Sequence, residues 1–197
     1  MIVDPDRAHL VPWNVTDFER DLALELGIPL YGADPRHLHF GTKSGCRRLF
    51  ASEDVAHPLG RDGLNRIEDL VSAIAEMRAE KPGLEEVLVK LNEGISGRGN
   101  ALVDLRSLPP PGDVGEAAEI GARVRSMSLE YEGLAYDSYV STLGEKGGVV
   151  EERITGEELR SPSVQLRVTP LGKVELLSTH DQILGGPTGQ SYFGCRF

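Results

Sequence analysis

Apolar residues recur every three or four positions in three stretches of the chain, and this spacing predicts amphipathic helices. The stretches are residues 16–26, 42–51 and 65–79. Thr16 with Glu19, and Asn65 with Glu68, have the spacing of a capping box, in which side chains at a helix start satisfy backbone N–H groups. Gly27 ends the first predicted helix, because glycine readily adopts the left-handed conformation that follows a helix.

A fourth apolar stripe predicts the longest helix of the chain. Its members step by 4, 3, 4 and 3 positions along Ile120, Val124, Met127, Tyr131 and Leu134. We interpret the stripe as the core-facing side of that helix rather than as a ligand site.

Runs of β-branched and other apolar residues predict strands before and after that helix. Residues 86–91 and 101–105 flank a glycine-rich loop at 92–100, as in a hairpin. Residues 149–154, 164–168 and 174–177 predict an antiparallel meander, with a turn at 169–172 that includes Pro170. This order of elements predicts an α+β fold in which helices pack on antiparallel sheets.

Charge and composition narrow the class of partner. The 197 residues carry 31 acidic and 21 basic side chains, a net charge of −10, which argues against a nucleic-acid or anionic-membrane surface. No stretch approaches the roughly 20 apolar residues of a membrane span, and no secretory signal pattern is present, so a cytoplasmic location is expected. Cys46 and Cys195 are too few for a disulfide framework or a four-ligand zinc site.

One segment departs from the acidic balance. Residues 35–52 contain Arg36, Lys43, Arg47 and Arg48 and no carboxylate. A basic segment of this kind is compatible with a single anionic ligand.

The glycine-rich loop is the most informative motif. Lys90 stands near the end of a strand, and Gly94, Gly97 and Gly99 follow, so the backbone could approach a ligand and point N–H groups at it. The segment matches neither the Walker pattern nor the dinucleotide fingerprint, since a strand and not a helix comes next. A phosphate-binding loop and a plain hairpin turn are both compatible with this composition.

A second motif is acidic. Glu151, Glu152, Glu157 and Glu158 lie at or just beyond one predicted strand end, where four carboxylates need solvent, a cation or ligand donors to balance them. One interpretation is a strand backbone that receives the edge of a base, with a carboxylate for ribose hydroxyls. The other is an exposed edge strand with solvated acids.

Taken in chain order, these features resemble the ATP-grasp superfamily of carboxylate–amine ligases. The features are Lys43 in a helix, Lys90 before a glycine loop, a long helix, and the acidic strand end ahead of an antiparallel meander. More narrowly, three segments look like the pheganomycin-type peptide ligases: residues 30–35 (LYGADP), 41–50 (GTKSGCRRLF) and 89–97 (VKLNEGISG). The resemblance covers nearly the whole chain.

The resemblance implies a role for each matching residue. Lys43 and Lys90 match two lysines that reach the nucleotide phosphates. The loop that closes over the triphosphate is matched by Gly94, Ser96, Gly97, Gly99 and Asn100. The hinge that binds adenine largely through backbone groups is matched by Glu151, Glu152, Arg153 and Ile154. The carboxylate that accepts the ribose hydroxyls is matched by Glu158.

The resemblance stops before the magnesium ligands of the family. Members place an acidic residue and then a Glu-x-Asn pair on late strands, so the Mg²⁺ ligands are expected beyond this chain. Asp181 is interpreted as a turn residue and His180 as an ordinary partly buried histidine. The expected architecture is ATP-grasp-like and incomplete at the C-terminus. It has a connection from a preceding domain at 1–35, the small lid subdomain at 36–110 and part of the large subdomain at 111–197.

The function that the resemblance implies is the ATP-binding region of a peptide ligase acting through an acyl phosphate. ATP and Mg²⁺ are the expected cofactors, and a peptide or amino acid is the expected substrate. A non-catalytic fragment that binds nucleotide or a partner chain is the alternative, and an ATP-grasp phosphotransferase also stays open. Because a partial core exposes apolar surface, self-association is expected as well.

Overall fold

The computed structural model describes residues 2–169 and 171–197. Pro170, which belongs to the predicted turn at 169–172, lies outside the described residues. At the ends of that turn, the N–H of Gly172 donates to the carbonyl of Thr169 at 2.9 Å. The chain forms two compact units, the first ending at Val55 and the second spanning Ala56–Phe197. The finer subdivision at residues 35 and 110 stays a prediction.

The first unit contains helices α1 (Asp17–Leu26) and α2 (Lys43–Ser52), with short 3₁₀ helices at Pro5–Arg7 and Pro35–Gly41. The predicted capping box of α1 is confirmed, because Glu19 accepts a hydrogen bond from the Thr16 backbone N–H at 2.8 Å. Gly27 follows α1 with a φ of 64°, as its sequence position predicts. Thr42 caps α2, and its hydroxyl accepts from the N–H of Gly45 at 3.0 Å.

The second unit is built on an antiparallel sheet of five strands in the order β1-β5-β2-β3-β4. In chain order its elements are β1 (Gly60–Leu64), α3 (Ile67–Glu80), β2 (Glu86–Leu91), β3 (Asn100–Asp104), α4 (Glu116–Arg125), β4 (Ser128–Leu129), α5 (Tyr136–Lys146) and β5 (Gly148–Glu152). The predicted hairpin of β2 and β3 is present, with Val89 opposite Ala101. The α+β class with antiparallel sheets is therefore confirmed.

Alternation along the strands gives this sheet two different faces. On one face, Val87, Val89 and Val150 are fully buried and pack with residues of α3, α4 and α5. The helical members of this core include Leu70, Ile74, Met77, Ile120, Val124, Tyr139 and Leu143. The other face carries the intervening residues, so the polar side chains of Lys90 and Glu151 lie opposite the core.

The predicted single long helix is wrong, because the chain turns at Ser126. The backbone N–H groups of Ser126 and Met127 donate to the carbonyls three residues back, Arg123 and Val124, at 3.1 and 3.3 Å, so the last turn tightens and α4 ends. The Ser126 hydroxyl also donates to the carbonyls of Ala122 and Arg123, at 3.1 and 3.2 Å. Residues 128–129 then form the edge strand β4, paired with β3, and α5 begins only at Tyr136.

The start of α3 also differs from its prediction. The helix begins at Ile67, and Asp69 accepts from the N–H of Arg66 at 3.1 Å. The predicted pair of Asn65 and Glu68 therefore lies one residue too early in the sequence.

A buried ion pair joins α3 to α4. Arg78 and Glu116 are both almost fully buried and bond each other directly. The Arg78 guanidinium also donates to the carbonyl of Pro109 at 2.7 Å, and Glu116 accepts from the N–H of Gly112 at 2.6 Å. The pair therefore fixes the proline-rich connection that precedes α4.

A separate three-stranded antiparallel sheet completes the second unit, with β6 (Pro162–Val168), β7 (Val174–Gly185) and β8 (Ser191–Arg196) in that order. β7 runs well past the predicted end at residue 177, so Asp181 is a strand residue and its interpretation as a turn residue is wrong. His180 is partly buried, as predicted. β8 and β1 are strands that the sequence pattern did not predict.

The two faces of the three-stranded sheet differ in polarity. On one face the side chains of Val164, Leu166, Val168, Val174 and Leu176 are each more than half exposed. On the other face Arg167 forms an ion pair with Glu175. The apolar side chains of this sheet are thus more open to solvent than Glu175, whose side chain is 25% exposed.

Candidate functional site

The central feature of the site is an ion pair on the sheet face opposite the helical core. Lys90 Nζ lies 2.6 Å from Glu151 Oε2, and the two side chains are only 23% and 13% exposed. The pair forms because β2 and β5 are neighbours, with Glu151 opposite Leu88 and two residues from the position of Lys90. The sequence predicted both residues as site residues, and the sheet register brings them together.

β5 is an interior strand, paired with β1 on one side and with β2 on the other. The alternative in which Glu151 and Glu152 are solvated acids on an exposed edge strand is therefore wrong. Glu157 and Glu158 follow the strand in a segment that is open to solvent.

Glu152 faces away from Lys90, because successive strand residues point to opposite faces. Its carboxylate bonds Lys81 and accepts from the N–H of Leu59 at 3.0 Å. The hydrogen bond from Lys81, followed by that from Leu59, holds the pKa of Glu152 below its ordinary value. Glu152 therefore stabilises the start of the second unit, apart from the Lys90–Glu151 pair.

Arg153 fixes the chain directly after β5. Its backbone N–H donates to the carbonyl of Glu86 at 3.1 Å, and its guanidinium bonds the Glu86 carboxylate at 3.0 Å. A second guanidinium nitrogen donates to the carbonyl of Thr188 at 3.3 Å. Arg153 thus connects the predicted hinge to the turn between β7 and β8.

A cleft of about 380 Å³ opens beside this hinge, within the size range of small-molecule sites. Ile154, Leu159 and Leu184 give it apolar walls, and Ser161 and Gln182 supply polar groups. Its lining is completed by Arg153, Thr155, Gly156, Arg160, Gly189 and Gln190. The cleft therefore combines apolar surface with a few polar groups, as ligand sites commonly do.

Glu158 does not belong to this lining. Its carboxylate bonds Arg160 at 2.6 Å, and the side chains of both residues are well exposed. In this structure Arg160, rather than Glu158, is the charged residue of that segment in the cleft.

The glycine loop connects β2 to β3 as a compact series of turns. The N–H groups of Gly94, Arg98 and Asn100 donate to carbonyls within the loop or at its base, at 3.1, 3.1 and 2.8 Å. Gly94 and Gly99 approach so closely that a Cβ on either would crowd the backbone of the other. Ser96 and Gly97 both have positive φ, of 54° and 83°. Close backbone approach therefore requires glycine at positions 94 and 99, and the positive φ of residue 97 favours glycine there.

Tyr139 of α5 supports the base of this loop. Its buried hydroxyl lies 3.1 Å from the carbonyl of Val89 and 3.2 Å from that of Gly99, within reach of both acceptors. Burial raises the pKa of Tyr139 well above its ordinary value, so the hydroxyl stays protonated and able to donate.

Glu130 and Thr188 are structurally important residues that the sequence analysis missed. The Thr188 backbone N–H donates to Glu130 Oε2 at 2.9 Å, and the Thr188 hydroxyl bonds the same oxygen. Burial opposes ionisation of Glu130, but hydrogen bonds from Ser191 and Thr188 outweigh it and hold the pKa of Glu130 below its ordinary value. The only signal in the sequence is the glycine doublet at 185–186, which marks a turn without naming its partner.

Lys43 is the first residue of α2 and belongs to the first unit. The residues Lys90, Gly94, Ser96, Gly97, Gly99, Asn100, Glu151, Glu152, Arg153, Ile154 and Glu158 belong to the second unit. Within that unit, Glu152 and Glu158 lie apart from the Lys90–Glu151 pair, as described above.

Outside Met1 and Pro170, no group of three or more His, Cys, Asp and Glu side chains is arranged to hold a metal ion. Within the same part of the chain, no helix is both long and apolar enough to cross a membrane.

Comparison with known proteins gives one family match and one curated relative. A family model described as IQCH-like, ATP-grasp matches residues 36–120. The chain is 30% identical over 204 residues to IQ motif-containing protein H of Danio rerio, a match that covers 89% of this chain and 19% of the relative. The chain thus spans about a fifth of the length of that relative.

Among solved structures, D-alanyl-alanine synthetase A from Vibrio cholerae O1 biovar eltor is similar with a TM-score of 0.55 at 14% identity. The likeness covers 91% of this chain and 46% of the synthetase. The fold is ATP-grasp-like. At this identity the likeness supports the ATP-grasp-like fold alone.

An ADP complex of N5-carboxyaminoimidazole ribonucleotide synthetase is similar at a TM-score of 0.49 and 13% identity. This likeness covers 83% of our chain and 34% of that enzyme. It is too loose to add support to the ATP-grasp-like fold.

Proposed function

We propose that this chain is the ATP-binding region of an ATP-dependent carboxylate–amine ligase. The observation that carries the proposal is the Lys90–Glu151 pair, whose Glu151 comes two residues before the cleft-lining Arg153. Lys90 supplies a cation for phosphates, and β5, the strand paired with β2, continues into Arg153 and Ile154, which line a cleft of about 380 Å³ with space for a base. The ATP-grasp-like fold and the family match over residues 36–120 support this assignment.

Adenine is proposed to occupy the cleft between Ile154, Leu159 and Leu184, because their apolar side chains suit the faces of a base. Lys90 binds phosphate oxygens through its ammonium group, a compact charge on a flexible stem. Glu151 holds this ammonium while no phosphate competes, so nucleotide binding exchanges one anionic partner of Lys90 for another.

The remaining predicted residues keep their proposed roles. Lys43 is the second phosphate-binding lysine, and the glycine loop with Ser96 and Asn100 closes over the triphosphate. Glu158 accepts the ribose hydroxyls, which requires it to leave Arg160. The free-energy cost of that step is small, because exposed ion pairs contribute little to stability.

The proposed reaction is amide-bond formation. A substrate carboxylate oxygen attacks the γ-phosphorus of ATP, ADP leaves, and an acyl phosphate forms. An amine then attacks the acyl carbon, inorganic phosphate leaves, and the amide remains. The protein contributes positioning and neutralisation of phosphate charge. A peptide or amino-acid substrate, the pheganomycin-type specificity, a cytoplasmic location and self-association belong to the same proposal.

Titration calorimetry of the folded chain with ATP and Mg²⁺ tests nucleotide binding. We expect Lys90→Ala to weaken ATP affinity by about tenfold or more, since a charge-assisted contact to phosphate is lost. Arg98→Ala is the matched control, because the Arg98 guanidinium lies 5.4 Å from the centroid of the Tyr131 ring. Its affinity loss should stay below about threefold. No heat for the wild type, or equal losses in the two variants, would contradict the assignment.

Phosphate release tests the ligase reaction. Release that requires both a carboxylate substrate and an amine, with amide detected by mass spectrometry, supports it. ATP binding without any such release supports the non-catalytic alternative instead.

A further inference from the structure

The turn between β7 and β8, residues 186–190, is held by three separate contacts. Thr188 donates its backbone N–H and its hydroxyl to Glu130 Oε2. The carbonyl of Thr188 accepts from Arg153 at 3.3 Å. Gly97 of the glycine loop lies so close to Gln190 that a Cβ at Gly97 would collide with the Gln190 carbonyl. The turn is therefore connected to both the hinge and the glycine loop.

Glu130 lies at the centre of this arrangement and is only 3% exposed. Its own N–H donates to the carbonyl of Asn100 at 2.9 Å, and Asn100 stands opposite Lys90 in the sheet. A Cβ at Gly186 would collide with Glu130 Oε1, so the carboxylate and the turn fit together only because residue 186 is glycine. The backbone of Glu130 is thus fixed to the sheet while its carboxylate is fixed to the turn.

We infer that Glu130 is a positioning residue of the nucleotide site, which holds the β7–β8 turn in place before a ligand binds. This inference rests on the proposed function, because holding the turn in place matters only if the cleft beside it binds a nucleotide. Gly189 and Gln190 of the turn line that cleft, and Glu130 itself does not. Its effect on a ligand is therefore carried through the turn.

The chemistry of the contact explains why the residue is an acid. One carboxylate oxygen accepts two donors from a single residue, and hydrogen bonds to an ionised group are stronger than bonds between neutral groups. When the carboxylate is lost, the turn samples more conformations. A ligand must then order the turn as it binds, which lowers affinity.

The test compares Glu130→Gln with Glu116→Gln in the full chain. Glu116 is the matched control, a buried carboxylate at the junction of α3 and α4, outside the cleft lining. Hydrogen exchange of residues 185–191 and calorimetric affinity for ATP with Mg²⁺ are the two readouts. We expect Glu130→Gln to speed exchange of the Thr188 amide about tenfold and to weaken ATP binding by a similar factor. Glu116→Gln should leave both unchanged in the folded protein.

Substitutions at Thr188 keep the test decisive if Glu130→Gln does not fold. Thr188→Val removes the hydroxyl donor and keeps the backbone N–H, and we expect about threefold weaker ATP binding. Thr188→Ser restores the donor and should restore the affinity. A serine variant as weak as the valine variant overturns the inference.

The outcomes separate this inference from the proposed function. If Glu130→Gln leaves hydrogen exchange of the turn unchanged, the positioning role is overturned. Faster hydrogen exchange with unchanged ATP affinity overturns it as well. In both cases ATP binding by the wild type still supports the proposed function. A folded wild type that binds no ATP overturns the proposed function. In that case faster exchange limited to the turn still supports the contact between Glu130 and the turn.

Discussion

The five-stranded and three-stranded sheets of the second unit are both antiparallel, yet their environments differ. The first has one face covered by α3, α4 and α5, and its valines at positions 87, 89 and 150 are fully buried. The second leaves Leu166, Val168 and Leu176 more than half exposed. Because buried apolar area is the main source of folding free energy, the same alternating pattern of strand residues stabilises the first sheet far more than the second.

The comparison teaches that strand alternation reports pairing but not burial. Leu166 opposite Leu176 is as apolar a cross-strand pair as Val89 opposite Val150. Helices cover the pair of Val89 and Val150, whereas Leu166 and Leu176 are each more than half exposed.

The largest contrast concerns ion pairs in the two settings. Glu116→Ala leaves the buried Arg78 guanidinium without its carboxylate, so we expect a loss of about 3–5 kcal/mol in unfolding free energy. Glu175→Ala breaks the pair with Arg167 on the three-stranded sheet, where solvent replaces the lost contact, and should cost far less. Urea denaturation of the two variants measures both losses. Similar losses would show that burial does not distinguish the two ion pairs.

The next contrast concerns apolar truncation. Ile74→Ala opens a cavity in the helical core and should cost about 2–5 kcal/mol. Leu176→Ala removes a side chain that is already 64% exposed, and we expect less than about 0.5 kcal/mol. Thermal and urea unfolding provide the comparison. A large loss for Leu176→Ala would indicate that this face is covered in solution.

The smallest predicted effect is a pH dependence at the end of β3. The side-chain hydrogen bond from Arg106, followed by that from its backbone, lowers the pKa of Asp104 from 3.8 to about 2. Because the folded pKa lies below the unfolded one, the associated stability is present above about pH 4 and is lost as the pH falls towards 2. Its size is limited, since the Asp104 side chain is 40% exposed.

An NMR titration of the Asp104 carboxyl group measures this pKa. Arg106→Gln should move it back towards 3.8, since the charged donor is removed. A pKa that stays near 2 in the variant would exclude Arg106 as the cause.

The sequence predicted those elements whose signals are local. Thr16, Glu19 and Gly27 define α1 because capping depends on neighbours along the chain. The stripe from Ile120 to Leu134 misled the prediction, since periodicity continued while the Ser126 hydroxyl bonded the last turn of α4. β1 contains two glycines and little apolar pattern, and its pairing with β5 defines it.

In the candidate site, too, local features were predictable from the sequence and features that depend on strand pairing were not. Lys90, the glycine loop and the hinge could be named from residue types and spacing. The sheet register determines which lysine each glutamate faces, and residue types alone do not determine the register. Glu151 faces Lys90, and Glu152 faces Lys81. The contact of Glu130 with Thr188 joins residues 58 positions apart, and no local pattern connects them.

The opposite orientation of Glu151 and Glu152 makes both ion pairs depend on the register of β5. A slip of β5 by one residue would exchange the faces of the two glutamates, so that each lysine would still face a carboxylate. The same slip would turn Val150 out of the helical core. The buried valine, rather than the charges, therefore selects the register that brings Glu151 to Lys90.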